Sequence, residues 1–180
     1  MKTIQSFIAV TVIVIIAFGS CSSSLDDGKK DIAAATGPSE SQKTILMPAF
    51  KMTDVNGNII DLLSLKGKKV FVNLWATWCP PCRAEMPSIE KLYSTSDKGK
   101  VVFVMLSLDE TFDKAKRFAK AKNMQAPVYY PAGNLPAMFN TGGIPATFIF
   151  NEKSELIKVN NGMEDYDTEE YRLLLKPQDE

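Results

Sequence analysis

Short runs of apolar residues alternate with polar and amphipathic stretches between positions 44 and 176. Continuous apolar runs are typical of strands buried on both faces, and apolar residues three and four positions apart indicate helices. On this basis, the sequence predicts strands at 50–53, 58–61, 70–76, 101–108, 127–130, 146–150 and 156–160, and helices at 80–96, 111–123, 135–139 and 168–175. This order predicts an α/β fold in which helices cover both sides of a mixed sheet.

The first two predicted strands flank the sequence Asp54-Val55-Asn56-Gly57. An Asn-Gly pair between two short strands favours a β-hairpin, because both residues tolerate the backbone conformations that tight turns require. The folded region is therefore predicted to begin with a hairpin. The last two strands, joined by residues 151–154, are also expected to form an antiparallel pair.

The first 20 residues have the pattern of an export signal. Lys2 supplies a positive charge, and residues 7–18 form an uncharged, mostly apolar run that is too short to span a bilayer comfortably. The run ends in Phe18-Gly19-Ser20-Cys21, which resembles a bacterial lipobox, whose cysteine is lipidated and becomes the first residue of the mature protein. An ordinary cleaved signal with a cysteine nearby is the alternative.

After Cys21 the sequence becomes rich in serine, small and charged residues, without hydrophobic periodicity. Such a composition is typical of a flexible spacer. We therefore expect a signal peptide at 1–20, a tether at 21–43 and one folded domain at 44–180. The tether would hold the domain beside a membrane of the bacterial cell envelope, facing the periplasm, through a lipid on Cys21.

The charges balance, with 21 Lys and Arg against 21 Asp and Glu, and the chain has no histidine. A net charge of zero gives no electrostatic basis for nucleic-acid binding. Without histidine, the sequence excludes Ser-His and Cys-His catalysis and histidine metal ligands. The basic face of the helix at 111–123 is interpreted as solvated, with partner docking as the alternative.

The three cysteines have separate expected roles. Cys21 is assigned to lipid, which leaves Cys79 and Cys82 as a pair that suits a disulfide in an exported, oxidising compartment. A bridge across so short a loop adds little to stability, so reversible redox chemistry explains it better. A zinc site would need a second pair of ligands, so we expect no metal and no cofactor besides the disulfide.

Cys79 lies where a predicted buried strand ends and a predicted helix begins. The N–H groups and partial positive charge of a helix N-terminus stabilise a thiolate, so Cys79 is expected to have a lowered pKa and to act as the nucleophile. Pro80 and Pro81 suit the first helical turn, which needs no N–H donors. Cys82, one turn into the helix, would attack a mixed disulfide on Cys79.

Two motifs carry a family resemblance. Residues 75–87 read Trp-Ala-Thr-Trp-Cys-Pro-Pro-Cys-Arg-Ala-Glu-Met-Pro, and residues 142–148 read Gly-Gly-Ile-Pro-Ala-Thr-Phe. They resemble the thioredoxin superfamily, specifically its TlpA/ResA-like branch of membrane-anchored thiol–disulfide oxidoreductases, within the AhpC/TSA-Redoxin-like domains. The likeness extends from about residue 48 to 176.

The resemblance implies a thioredoxin-like fold, with a mixed central sheet flanked by helices and an extra N-terminal β-hairpin. It implies exchange of disulfides with protein substrates, more often as a reductase than as an oxidase. A reductase would take electrons from a membrane donor, and cytochrome c maturation is one use in the family. It also implies that Pro145 is cis, faces the disulfide, and leaves the backbone of Ile144 to bind an extended substrate.

Glu85 is the expected proton acceptor for Cys82. It recurs with Cys82, Ile89 and Leu92 at helical intervals, so it shares a face with a thiol and apolar side chains. A carboxylate facing a core has a raised pKa and can take a proton near neutrality. The alternative is an exposed Glu85 paired with Arg83 or Lys91.

The remaining assignments near the motif concern side chains without acid–base chemistry. Asn73 occupies the strand position where plain thioredoxins place a buried aspartate. Trp75 is expected in the core, and Trp78 at the rim of the substrate groove, beside Pro80 and Pro81.

Two other functions remain open from sequence. One is a non-catalytic module in which the disulfide is static and the groove beside Pro145 holds a peptide. The other is a peroxiredoxin-like peroxidase, which shares the fold but usually carries threonine three residues before its cysteine, where this chain has Ala76.

Overall fold

The computed structural model describes residues 44–177. The predicted signal peptide, the tether and the lipidation site Cys21 lie outside the described residues. Within the described part, no helix combines the length and the apolar character needed to cross a bilayer.

The described chain forms seven strands and three α-helices, with bounds close to those predicted. The strands are β1 (Lys51–Asp54), β2 (Ile59–Asp61), β3 (Lys69–Trp75), β4 (Val101–Ser107), β5 (Val128–Pro131), β6 (Ala146–Phe150) and β7 (Leu156–Asn161), and the α-helices are α1 (Pro80–Thr95), α2 (Phe112–Ala121) and α3 (Glu169–Leu175). Two 3-10 helices, Leu62–Leu65 and Ala137–Phe139, complete the list. The first was not predicted, and the second replaces the short helix expected at 135–139.

The strands of the described region form one mixed sheet in the order β2-β1-β5-β4-β3-β6-β7. Strands β3, β4 and β5 are parallel neighbours, while β6 pairs antiparallel with β3 and β7 with β6. The predicted hairpin forms: β1 pairs with β2 and, on its other side, with β5. Gly57 has a φ of +90°, a left-handed conformation that favours glycine in the turn. The thioredoxin-like α/β class is therefore confirmed.

The α-helices of the described region share one face of the sheet. Phe71 and Trp75 of β3 join the core cluster that contains residues of α1, α2 and α3, whereas Val70, Val72 and Leu74 join the cluster on the opposite face. Two right-handed crossovers in the same direction, from β3 to β4 to β5, place α1 and α2 on the same side. The opposite face is covered by the two short 3-10 helices and the segment before β1. Helices therefore flank both faces, long α-helices on one and short 3-10 helices on the other.

Candidate active site

The site is built at the carboxyl end of β3, where the chain turns into α1. Cys79 is the N-cap of α1, with an extended backbone (φ −89°, ψ 106°), and Pro80 and Pro81 occupy the first helical turn. Because neither proline has an N–H group, the turn loses no hydrogen bond. The Cys82 N–H, at 3.2 Å, points at Cys79 Sγ.

Cys79 and Cys82 form a disulfide, and both residues are almost fully buried. The Cys82 N–H and the start of α1 direct positive electrostatic potential at Cys79 Sγ, which is the arrangement that stabilises a thiolate after reduction. The lowered pKa of the reduced Cys79 thiol remains a prediction.

The loop before β6 lies against Cys79. The Ile144–Pro145 peptide bond is cis, Pro145 is buried, and the Ile144 carbonyl oxygen lies 3.7 Å from Cys79 Sγ. Trp78, which directly precedes Cys79, is 63% exposed. The roles of Trp78 and Ile144 at the rim of a substrate groove remain predictions.

Glu85, one helical turn after Cys82, is buried, with 2% of its surface exposed. Its carboxylate accepts hydrogen bonds from Asn73 Nδ2 at 2.8 Å and from the Glu164 N–H at 3.2 Å. Desolvation outweighs these bonds and raises the pKa of Glu85 to about 7. The alternative of an exposed Glu85 is wrong, and Lys91 instead pairs with Asp167 at 2.8 Å.

A chain of buried polar side chains supports Glu85. Asn73 Nδ2 also donates to Thr147 Oγ1 at 2.9 Å, and the Tyr166 hydroxyl donates to the same oxygen at 2.7 Å. Both Asn73 Nδ2 hydrogens are thereby directed at acceptors, while Asn73 Oδ1 has no hydrogen-bond partner within residues 44–177. Sequence reasoning noted Asn73 but missed Thr147 and Tyr166; Thr147 lies two residues after Pro145, in the second motif.

A second buried carboxylate holds the loop before Cys79. Asp109, 3% exposed, accepts from the Thr77 N–H at 3.2 Å, from Thr77 Oγ1 at 2.7 Å and from Ser107 Oγ at 2.9 Å. Because β3 and β4 are parallel neighbours, their carboxyl ends meet at the same edge of the sheet. Sequence reasoning missed Asp109, although an aspartate just after a buried strand, at the edge that holds the motif, is a usable signal.

Trp75 lies in the core as predicted, fully buried and 5.6 Å from Phe118 between ring centroids.

Within residues 44–177, no group of three or more Cys, Asp or Glu side chains is arranged to hold a metal ion. The structure brings the Ile144–Pro145 loop to Cys79, at the start of α1. The other described candidate site residues follow or precede Cys79 directly in this segment: Trp78, Pro80, Pro81, Cys82 and Glu85.

Comparisons with known proteins agree with this geometry. Residues 41–174 match the Redoxin family. The chain is 34% identical over 131 residues to "Thiol-disulfide oxidoreductase ResA" of Halalkalibacterium halodurans, covering 72% of this chain and 74% of that protein.

Solved structures are also similar. A "thiol:disulfide interchange protein, thioredoxin family protein" from Chlorobium tepidum TLS is 28% identical with a TM-score of 0.63, covering 73% of this chain and 96% of that one. StoA from Bacillus subtilis is 27% identical with a TM-score of 0.57, covering 67% and 92%. This chain belongs to the Redoxin family, and within it to the thioredoxin-like thiol-disulfide oxidoreductases of the ResA type.

Proposed function

We propose that this protein reduces disulfide bonds of exported proteins. The Cys79 thiolate attacks one sulfur of a substrate disulfide, a mixed disulfide forms, and the second substrate sulfur leaves as a thiolate. Cys82 then attacks Cys79 Sγ, which releases the first substrate sulfur and re-forms the Cys79–Cys82 disulfide. The substrate gains two electrons and, with two protons, becomes a dithiol.

The observation that carries this proposal is the position of Glu85. A buried carboxylate with a pKa of about 7, on the helical turn after Cys82, is matched to accept the Cys82 proton at neutral pH. A static disulfide has no use for such a group, because a buried carboxylate whose lost hydration is not fully compensated destabilises the fold. The relatives are named thiol-disulfide oxidoreductases, which supports the same chemistry.

The direction and place of the reaction are further parts of the proposal. The resemblance to reducing members favours reductase activity, with a membrane-bound dithiol donor that returns two electrons to Cys79 and Cys82. A lipid on Cys21 and the tether at 21–43 would hold the domain at the periplasmic face of the membrane. Apocytochrome c, whose cysteines must be reduced before haem attachment, is one substrate that fits this role.

Trapping tests the function directly. In a Cys82→Ala variant, the mixed disulfide on Cys79 cannot be resolved, so exported proteins should accumulate as covalent adducts that a reducing agent releases. A Cys79→Ala variant is the matched control and should trap none of them. Reduction of insulin disulfides by the wild-type protein tests the same activity in vitro. Absence of both adducts and insulin reduction would favour the static disulfide, and rapid peroxide turnover would favour the peroxidase.

Replacing Glu85 by Gln tests the proton acceptor. The resolution rate of wild-type protein should rise with pH through about 7, as Glu85 ionises. The variant should resolve mixed disulfides on the order of 10²-fold more slowly at neutral pH. Stopped-flow release of a fluorescent peptide thiol from Cys79 measures this rate. An unchanged pH profile would remove Glu85 from the mechanism.

A further inference from the structure

Helix α1 has a second, exposed stripe beside the buried one. Pro80, Arg83, Ala84 and Pro87 are exposed and recur at intervals of three and four residues, so they lie along one side of the helix. The buried stripe of Cys82, Glu85, Ile89 and Leu92 faces the core. The exposed stripe begins at the residue next to Cys79.

This stripe forms one wall of an open cleft of about 610 Å³ between α1 and α2. Phe118 of α2 and Met124, just after α2, are half-buried and form the apolar part of the opposite wall. Lys122 lies at the end of α2 on that wall, so Arg83 and Lys122 contribute a cation to each side.

Within the described residues, Arg83 and Lys122 form no ion pair, whereas Lys114 pairs with Glu110 and Lys116 with Asp113 at 2.7 Å. Glu90 also lines the cleft, but its oxygens accept hydrogen bonds from the backbone N–H groups of Gln125 at 2.9 Å and Ala126 at 3.1 Å. Glu90 thus holds the loop after α2 against α1.

Arg83 is poorly placed for helix stability. It lies near the start of α1, where the helix dipole is positive and disfavours a cation, and the first turn carries no acidic residue. A cation at this position is better explained by its interaction with a group on a binding partner. Its neighbours offer apolar surface and a second cation, so the complementary group is an anion attached to an apolar chain.

We propose that the cleft between α1 and α2 binds a segment of the partner protein that flanks its reactive cysteine and carries acidic and apolar side chains. The acidic side chain lies between Arg83 and Lys122, and the apolar side chain contacts Phe118 and Met124. Residues on the other side of the partner's cysteine then lie along Ile144. This inference rests on the proposed function, because it assigns the substrate preference of the same site.

A pair of peptides tests the preference. Each has one cysteine, capped as a mixed disulfide with 2-mercaptoethanol, and flanking residues that are either Glu and Leu or Lys and Leu. The rate at which reduced full-length protein releases 2-mercaptoethanol is measured for each peptide. The wild-type protein should favour the acidic peptide. Lys122→Glu should lower the ratio of the two rates about five-fold, as expected for the loss of a surface charge pair.

The control is Lys153→Glu, which makes the same change of net charge at an exposed position in the turn between β6 and β7. It should leave the ratio of rates unchanged. The effect of flanking charge on the peptide's own disulfide is the same for every variant and cancels. In 0.5 M salt the preference should shrink, because screening weakens interactions between exposed charges.

Three results would overturn the proposal while leaving the function intact. They are equal rates for both peptides in the wild-type protein, an equal shift of the ratio in Lys122→Glu and Lys153→Glu, and dimerisation through this face that Lys122→Glu abolishes in sedimentation experiments. Failure of the wild-type protein to react with either peptide would instead contradict the proposed function.

Discussion

Glu85 and Asp109 are both almost fully buried carboxylates near Cys79. Glu85 follows Cys79 on α1, and Asp109 binds Thr77 in the loop before it. Asp109 accepts hydrogen bonds from Thr77 N–H, Thr77 Oγ1 and Ser107 Oγ. Within residues 44–177, the Glu85 carboxylate accepts from two groups, Asn73 Nδ2 and the Glu164 N–H, and no hydroxyl donates to it. Burial alone therefore does not distinguish the two side chains, but their hydrogen-bond donors do.

The difference separates two uses of a buried acid. Several donors around Asp109 compensate for lost hydration, so its carboxylate can act as a fixed anchor for the loop before Cys79. With fewer donors, desolvation dominates at Glu85 and raises its pKa to about 7, where it can gain and lose a proton. An acid next to a redox pair becomes a proton acceptor when its charge is incompletely compensated.

The largest expected effect comes from removing the anchor. Asp109→Ala leaves the Thr77 and Ser107 donors without their acceptor, which should lower the free energy of unfolding by about 3–5 kcal/mol. Urea denaturation of the oxidised protein measures the change. Asp113→Ala, which breaks an exposed ion pair with Lys116, is the control and should cost under about 1 kcal/mol. Similar values for both variants would contradict the anchoring role.

Replacing the proton acceptor should have a smaller effect on stability, with the opposite sign. The folded-state pKa of Glu85 lies above the unfolded value of 4.5, so the native state binds more protons between about pH 4.5 and 7. Stability therefore falls as pH rises through this range. Oxidised Glu85→Gln should be more stable than wild type by about 1–3 kcal/mol at pH 8.

Near pH 4 that difference should vanish, because Glu85 is then protonated in both states. Chemical denaturation of wild type and variant across this pH range measures it. Parallel stability curves would mean that the Glu85 carboxyl is adequately solvated in the folded protein, and the contrast with Asp109 would then be lost.

The smallest expected effect comes from removing a hydrogen-bond donor of Glu85, which increases its contrast with Asp109. Asn73→Leu removes the 2.8 Å donor but keeps a side chain of similar shape. The pKa of Glu85 should rise further, by about one unit, since one hydrogen bond to the charged form is worth about 1.4 kcal/mol. NMR titration of the Glu85 side-chain carboxyl carbon reports the value. A lowered pKa would contradict the role of Asn73.

Strands and helices were predictable to within a residue or two because their periodicity is local. The run at 70–76 became β3, and the run at 146–150 became β6 with the same bounds. Leu62–Leu65 was missed because its 3-10 turn begins with hydrogen bonds to Asp61 that no hydrophobic period reveals. The placement of α1, α2 and α3 on one face was also missed, because it follows from strand order in the sheet.

Within the site, residues close together in sequence were the predictable ones. Cys82 and Glu85 lie on α1 and Cys79 is its N-cap, so their spacing in the sequence was enough to place them near one another. The supporting residues come from other strands and loops. Thr147 lies 74 residues from Asn73, Tyr166 lies 19 residues from Thr147, and Asp109 lies 32 residues from Thr77.

The sequence by itself determined the reactive pair, the helix start that activates it and the turn on which Glu85 lies, because each depends on neighbours within a few positions. Only the tertiary structure decided that Glu85 is buried with too few donors and that Asp109 is buried with enough. Hydration and hydrogen bonding at a side chain depend on every segment packed around it, and those segments meet only after the sheet has formed.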